Sequence, residues 1–128
     1  MAGAGRSSYG GMSITSFSRM LPVSVEGPPE GPLLFFLHGW PDDEHVWDLQ
    51  FKRYARMGYR CARVTMPHFA KEPAAHPSMT WRRSGYSSDE IADMLIDLVG
   101  RLSRGAPAVL VLHDWGCCWG QFAIKKCP

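Results

Sequence analysis

Two short, unbroken apolar runs stand out along the chain, Leu33-Leu34-Phe35-Phe36-Leu37 and Val109-Leu110-Val111-Leu112. Each is too short for a helix and is bounded by glycine and proline, so each predicts a strand buried on both faces, as in a parallel sheet. Between them, Trp47, Phe51 and Tyr54, and Val46, Gln50 and Met57, fall at helical spacing over residues 44–57. Asp42 or Asp43 is placed to cap that helix and Gly58 to stop it. Residues 59–66 predict a third strand, whose Arg60 and Arg63 make it the least typical, and Pro67 closes it. Residues 67–86, with Pro67, Pro73, Pro77 and Gly85, predict a long irregular connection; loops of that length are functional or disordered. Ser87 and Glu90 have the spacing of a capping box, and Ile91, Met94, Leu95, Leu98 and Leu102 share one face of the helix that follows, up to Gly105. A last helix runs from about Gly116 to Lys126, presenting Phe122 and Ile124, with Lys125 and Lys126 near its negative end. Upstream, residues 21–25 alternate polar with apolar and predict a strand joined to Leu33 through the Pro- and Gly-rich turn at 27–32.

The order is strand, turn, strand, helix, strand, long loop, helix, strand, helix. It predicts an α/β fold, a mostly parallel sheet flanked by helices. With 128 residues, 45% of them hydrophobic, the chain can bury one core. Residues 21–128 are read as that unit, and residues 1–20, rich in Ser and Gly, as a disordered tail. The last strand is expected to leave its far edge unpaired.

The chemistry sits where the apolar runs end. Val109–Leu112 leads into His113-Asp114-Trp115-Gly116. A strand turning sharply into a helix holds one side chain at the tip of the turn and needs small residues where the backbones crowd, which is how a nucleophile elbow works. Here Asp114 takes the tip, with Gly116 two residues on and Gly120 one turn later, while Leu112 departs from the usual small residue. A carboxylate is already ionised at neutral pH and can attack without a base. The alternative is that Asp114 simply caps the helix. The other run ends in His38-Gly39-Trp40-Pro41. Gly39 permits unusual backbone angles and Pro41 fixes the chain after it, so this loop can aim the Trp40 N–H inward. With the Trp115 N–H it would make a two-donor oxyanion hole; the alternative is an ordinary strand-to-helix loop.

These two motifs in this order, with Trp47 a few residues after the first, resemble the N-terminal half of an α/β-hydrolase of the epoxide hydrolase and haloalkane dehalogenase type, over roughly residues 20–128. The resemblance implies a partial α/β-hydrolase fold, Asp114 as nucleophile with a covalent alkyl-ester intermediate, and an oxyanion hole from Trp40 and Trp115. His38, Gly39 and Pro41 then support the loop, and His113 and Gly116 the elbow. A common dehalogenase pattern has Asn after His-Gly; Trp40 in that place favours the epoxide hydrolase side. Val64-Thr65-Met66-Pro67-His68-Phe69 replaces the Asp-x-Arg-Gly-x-Gly-like stretch usual after the third strand. In the family the second acid, the histidine and the acidic lid tyrosines follow the elbow, whereas residues 115–128 contain no His, Asp or Glu. The expectation is a chain truncated before those groups and inactive by itself. Whether it is an enzyme is thus left open, the alternative being a non-catalytic α/β-hydrolase-like binding module.

Composition narrows the rest. A net charge of +2 does not suggest a nucleic-acid partner, and no apolar stretch reaches the length of a membrane span. The expected partner is a small-molecule substrate; nothing in the pattern bears on oligomeric state. Adjacent Cys117 and Cys118 point to different sides of a helix, so no metal site is expected, and no cofactor. Cys61, Cys117, Cys118 and Cys127 are read as small buried apolar groups in a reducing compartment. The tryptophans and phenylalanines other than Trp40 and Trp115 are assigned mostly to the core. The cytosol is the default location; Arg6, Arg19 and the absence of acids in the first 20 residues keep a mitochondrial transit peptide as the alternative.

Overall fold

In the computed structural model, which describes residues 8–9, 12–13, 21–69 and 83–128, the run Leu33–Leu37 is an inner strand, β4, all of whose side chains are buried. It is flanked on both sides by parallel neighbours, β5 (Arg60–Val64) and β6 (Ala108–Leu112). β3 (Val23–Glu26) closes the other side of β5 antiparallel, giving the order β3-β5-β4-β6. The turn expected to link the upstream strand to Leu33 therefore connects two strands that do not pair, with β5 between them. Val23 meets Val64 in the ladder, and Gly27, at φ +92°, carries the chain away where a Cβ would collide with the Tyr59 carbonyl. Residues 8–9 (β1, Ser8–Tyr9) and 12–13 (β2, Met12–Ser13) form a separate antiparallel pair inside the segment read as a tail.

Side-chain alternation along β4 splits the core between two layers. Leu33, Phe35 and Leu37 face a cluster with Ala62, Val64, Ile91, Met94, Leu95, Leu98 and Ala123. Ala62 and Val64 belong to β5, and the other five come from α2 (Ser88–Ser103) and α3 (Trp115–Lys126) on one side of the sheet. Leu34 and Phe36 face the other way, onto Cys61 and Phe51. Phe51 belongs to α1 (Asp48–Arg56), which is preceded by a 3₁₀ turn over Glu44–Trp47, so the single helix predicted over 44–57 is two unlike pieces. Asp43 caps the turn by accepting the His45 N–H at 2.9 Å, and Gly58, at φ +97°, ends the helix.

The capping box forms as expected: Ser87 Oγ accepts the Glu90 N–H at 3.2 Å, and a Glu90 carboxylate oxygen accepts the Ser87 N–H at 2.7 Å. Ser87→Ala should lower stability by about 1 kcal/mol. Thermal unfolding followed by circular dichroism would register this as a small fall in Tm with unchanged native helicity.

Two expectations about burial need correction. β6 is not buried on both faces: it lies at the sheet edge, where Val109 is 58% exposed. Cys117, Cys118 and Cys127 are exposed and only Cys61 is buried, because α3 turns Gly116, Gly120 and Ala123, not its cysteines, toward the sheet. Phe122 and Ile124 are accordingly near half exposed. The centre of the predicted 67–86 connection, residues 70–82, lies outside the described residues.

Candidate active site

β4 and β6 run parallel and in register, Leu37 opposite Leu112, so the segments that follow them emerge side by side. The His113 N–H donates to the Leu37 carbonyl at 3.2 Å, extending the ladder one residue beyond β6. The chain then turns abruptly. Asp114 adopts φ 53° and ψ −123°, a left-handed conformation that costs a non-glycine residue on the order of 1–3 kcal/mol. α3 starts at the next residue.

Glycines make this crossing possible. A Cβ on Gly116 would lie 2.6 Å from the Leu37 carbonyl oxygen and 2.7 Å from that of His38. One on Gly39 would fall on Asp114 Cβ and come within 2.7 Å of both Asp114 Oδ2 and Trp115 N. On Gly120 it would meet Leu112 Cδ1 at 2.5 Å. The two loops and the first turn of α3 thus touch backbone to backbone, with no room for side chains between them.

That closeness seats the carboxylate. The Trp40 N–H donates to Asp114 Oδ2 at 2.8 Å. The amides of Trp115 and Trp40 together hold the Asp114 carboxyl below its ordinary value of 3.8, with the charge of His113 adding a little. Asp114 is exposed and makes no side-chain cap to α3, although it occupies the capping position. The capping alternative is therefore not what its side chain does.

The loop after β4 is held from below by His38, which is fully buried. Its Nε2 accepts the Met66 N–H at 2.9 Å, so the ring proton sits on Nδ1, which donates to the Gly39 carbonyl at 3.1 Å. Burial pushes the His38 pKa below its usual 6.5, and the ring is neutral. Pro41 follows Trp40 through a cis peptide bond. The His113 side chain, in contrast, is exposed and its ring sits edge-on to Trp47 at 6.3 Å; it does not hydrogen-bond Asp114.

Sequence reasoning missed the aromatic surround. Phe69 packs on His38 at 5.2 Å between ring centroids, on Trp119 at 5.4 Å and on Trp40 at 6.2 Å. Trp115 stacks on Trp119 at 6.5 Å. Phe69, Trp119, Trp40 and Trp115 thus form one aromatic cluster against His38, with Trp40 66% and Trp115 53% exposed. The one available signal was Trp119, four residues after Trp115 and so on the same helical face. Also missed was the buried Arg63, which pairs with Glu44 at 3.1 Å and with Asp48 and stacks over Phe51 at 4.3 Å. Ser24 Oγ donates to Glu44 at 2.7 Å, and the Glu44 N–H donates to Thr65 Oγ1 at 3.2 Å. This network pins the turn after the His38–Pro41 loop to β3 and the end of β5. Among the described residues, no cluster of three or more His, Cys, Asp or Glu could hold a metal ion.

Known proteins share this fold. A Vigna radiata epoxide hydrolase, solved as a variant, superposes with a TM-score of 0.69 at 27% identity, over 91% of this chain and 32% of its own. The chain belongs to the α/β-hydrolase superfamily. Within it the similarity points to the epoxide hydrolase-like members. The epoxide hydrolase of Caballeronia sordidicola is 33% identical over 96 residues, which is 75% of this chain and 27% of that protein. Epoxide hydrolase 1 of Caenorhabditis elegans is 31% identical over 100 residues, 76% of this chain and 22% of that one. A Mycobacterium tuberculosis protein named "Probable oxidoreductase EphD" is 30% identical over 96 residues, 75% of this chain but 15% of its own length. This α/β-hydrolase chain thus spans between about one seventh and one third of the relatives it matches. No protein-family model matches it.

Proposed function

We propose that this α/β-hydrolase chain carries the nucleophilic half of an epoxide hydrolase-type reaction on a small-molecule substrate, with Asp114 as nucleophile and the Trp40 and Trp115 N–H groups as its oxyanion hole. The observation that carries this reading is the seating of Asp114: a carboxylate on a strained turn, exposed to substrate, with one oxygen 2.8 Å from the Trp40 N–H. That bond makes the two oxygens unequal. Oδ2 is engaged by the donor, and Oδ1 is left to attack.

Attack by Oδ1 on an epoxide carbon forms a C–O bond and breaks the ring C–O bond, whose oxygen takes a proton from an acid or from water. The product is an alkyl ester of Asp114 whose carbonyl oxygen is Oδ2. When water then adds to the ester carbon, the negative charge develops on that same oxygen, already in reach of preorganised donors. Nothing needs to move between the two steps for the charge to be met. Water must also lose a proton to a base, and among the described residues no histidine is aimed at Asp114. His38 is buried with both ring nitrogens engaged, and His113 packs beside Trp47. The base, and the acid that protonates the leaving oxygen, are assigned to groups outside the described residues.

The test is covalent capture. The chain is incubated with styrene oxide at neutral pH and digested, and its peptides are read by tandem mass spectrometry. An ester on Asp114, released by hydroxylamine and absent from Asp114→Asn, is the expected result. Exposed Cys117, Cys118 and Cys127 can give thioethers, which hydroxylamine leaves intact, so the two adducts separate cleanly. Adducts on cysteine alone would overturn the nucleophile assignment and favour the non-catalytic binding module.

A further inference from the structure

Helix α1 presents a face to solvent that its own fold does not use. It packs on the sheet through Phe51 and, on the same side, Ala55. Positions 49, 52, 53, 56 and 57 are spaced i, i+3, i+4, i+7, i+8, which is one continuous stripe on the opposite side. The stripe reads Leu49, Lys52, Arg53, Arg56, Met57, and all five residues are exposed. Leu49 is 83% exposed and Met57 59%, with Val46 just before the helix at 40%. Among the described residues, Lys52, Arg53 and Arg56 form no ion pair, although Arg101, Arg104 and Lys126 do.

A face made for burial would not carry three unpaired cations, yet Val46, Leu49 and Met57 stand exposed beside them. One surface accepts both. We propose that this face of α1 lies against an anionic lipid bilayer, with Val46, Leu49 and Met57 entering the boundary between headgroups and acyl chains and Lys52, Arg53 and Arg56 meeting lipid phosphate and carboxylate. The charges are complementary, and the long stems of the cations let them reach headgroups while the apolar tips between them go deeper. The face is convex, as a helix surface is, which suits a fluid headgroup layer better than the preformed groove of a protein partner. Attachment is peripheral: no described helix is long and apolar enough to cross a membrane. The proposal is independent of the role given to Asp114.

The experiment is sedimentation of the chain with vesicles of phosphatidylcholine alone or mixed with phosphatidylserine. Binding to the mixed vesicles, weakened by salt, and little binding to phosphatidylcholine alone are expected. Lys52→Gln/Arg53→Gln/Arg56→Gln should weaken partitioning on the order of a hundredfold, and Leu49→Ser about tenfold. Both act on exposed side chains, and unchanged thermal melts would show that the fold survives. Lys125→Gln, on α3 across the sheet, should bind like the parent. Failure of the parent chain to sediment with anionic vesicles, or equal sedimentation with neutral ones, would overturn the proposal. So would full binding by Leu49→Ser, which would leave simple charge adsorption, or binding to soluble polyglutamate as tight as to the vesicles, which would point to an acidic protein.

Discussion

Gly116→Ala is expected to destabilise the chain by about 3 kcal/mol, the upper end of what one added methyl usually costs in a packed site, and to lower Tm by roughly 10 °C or more. The new Cβ would press on the carbonyl oxygens of Leu37 and His38 at 2.6 and 2.7 Å. Both are backbone atoms. The first also accepts the His113 N–H, so retreat breaks the bond that joins the ends of β4 and β6. Gly120→Ala makes an informative contrast. Its contact at 2.5 Å is with the tip of the Leu112 side chain, which can rotate, so about 1 kcal/mol is expected there. Parallel denaturant titrations of the two variants would check the order; equal losses would mean that the elbow yields more easily than its backbone contacts imply.

His38→Ala should cost about 3–5 kcal/mol, because it leaves a cavity and strands two buried backbone groups, the Met66 N–H and the Gly39 carbonyl. Its second signature is in pH. The folded chain holds His38 neutral with a pKa below 6.5, so the unfolded chain takes up the proton first as pH falls. The stability of the parent should therefore be fully present above about pH 6.5 and decline below it, at up to about 1.4 kcal/mol per pH unit, until the folded-state pKa is passed. His38→Gln, which keeps an amide donor and acceptor in the cavity, should flatten that slope. Urea denaturation of both proteins across this range separates the linkage from simple loss of packing: an unchanged slope in the variant would assign the acid sensitivity to other groups.

What the sequence made legible was local. The apolar runs at 33–37 and 109–112, the Ser87–Glu90 capping box, Asp43 as a cap and Gly58 as a stop all rest on neighbours a few residues apart. So does the elbow, since Asp114 and Gly116 answer to one turn. The pairing of β3 with β5, instead of with the adjacent β4, was not legible, because sheet order depends on contacts that no short window contains. Arg63 looked unsuited to a buried strand for the same reason: its partners Glu44 and Asp48 lie in the turn and helix that pack across it. Cys117 and Cys118 of α3 were misplaced because hydrophobic character alone does not say which side of a helix meets the sheet. Phe69 and Trp119 meet over His38 only once β5 and β6 flank β4.

The Trp40–Asp114 bond joins residues 74 apart, and this dates the site within folding. Local structure such as α2 needs no distant partner, but closing so long a loop must await the docking of β6 on β4. The strained turn, the seated carboxylate and the donors that hold it therefore come into being together and late. Pulse-labelled hydrogen exchange during refolding should find the amides of α2 protected before that of Trp40. The seating of Asp114 then reports on the last long-range pairing of the sheet, and a chain caught earlier in folding lacks the arrangement as a whole.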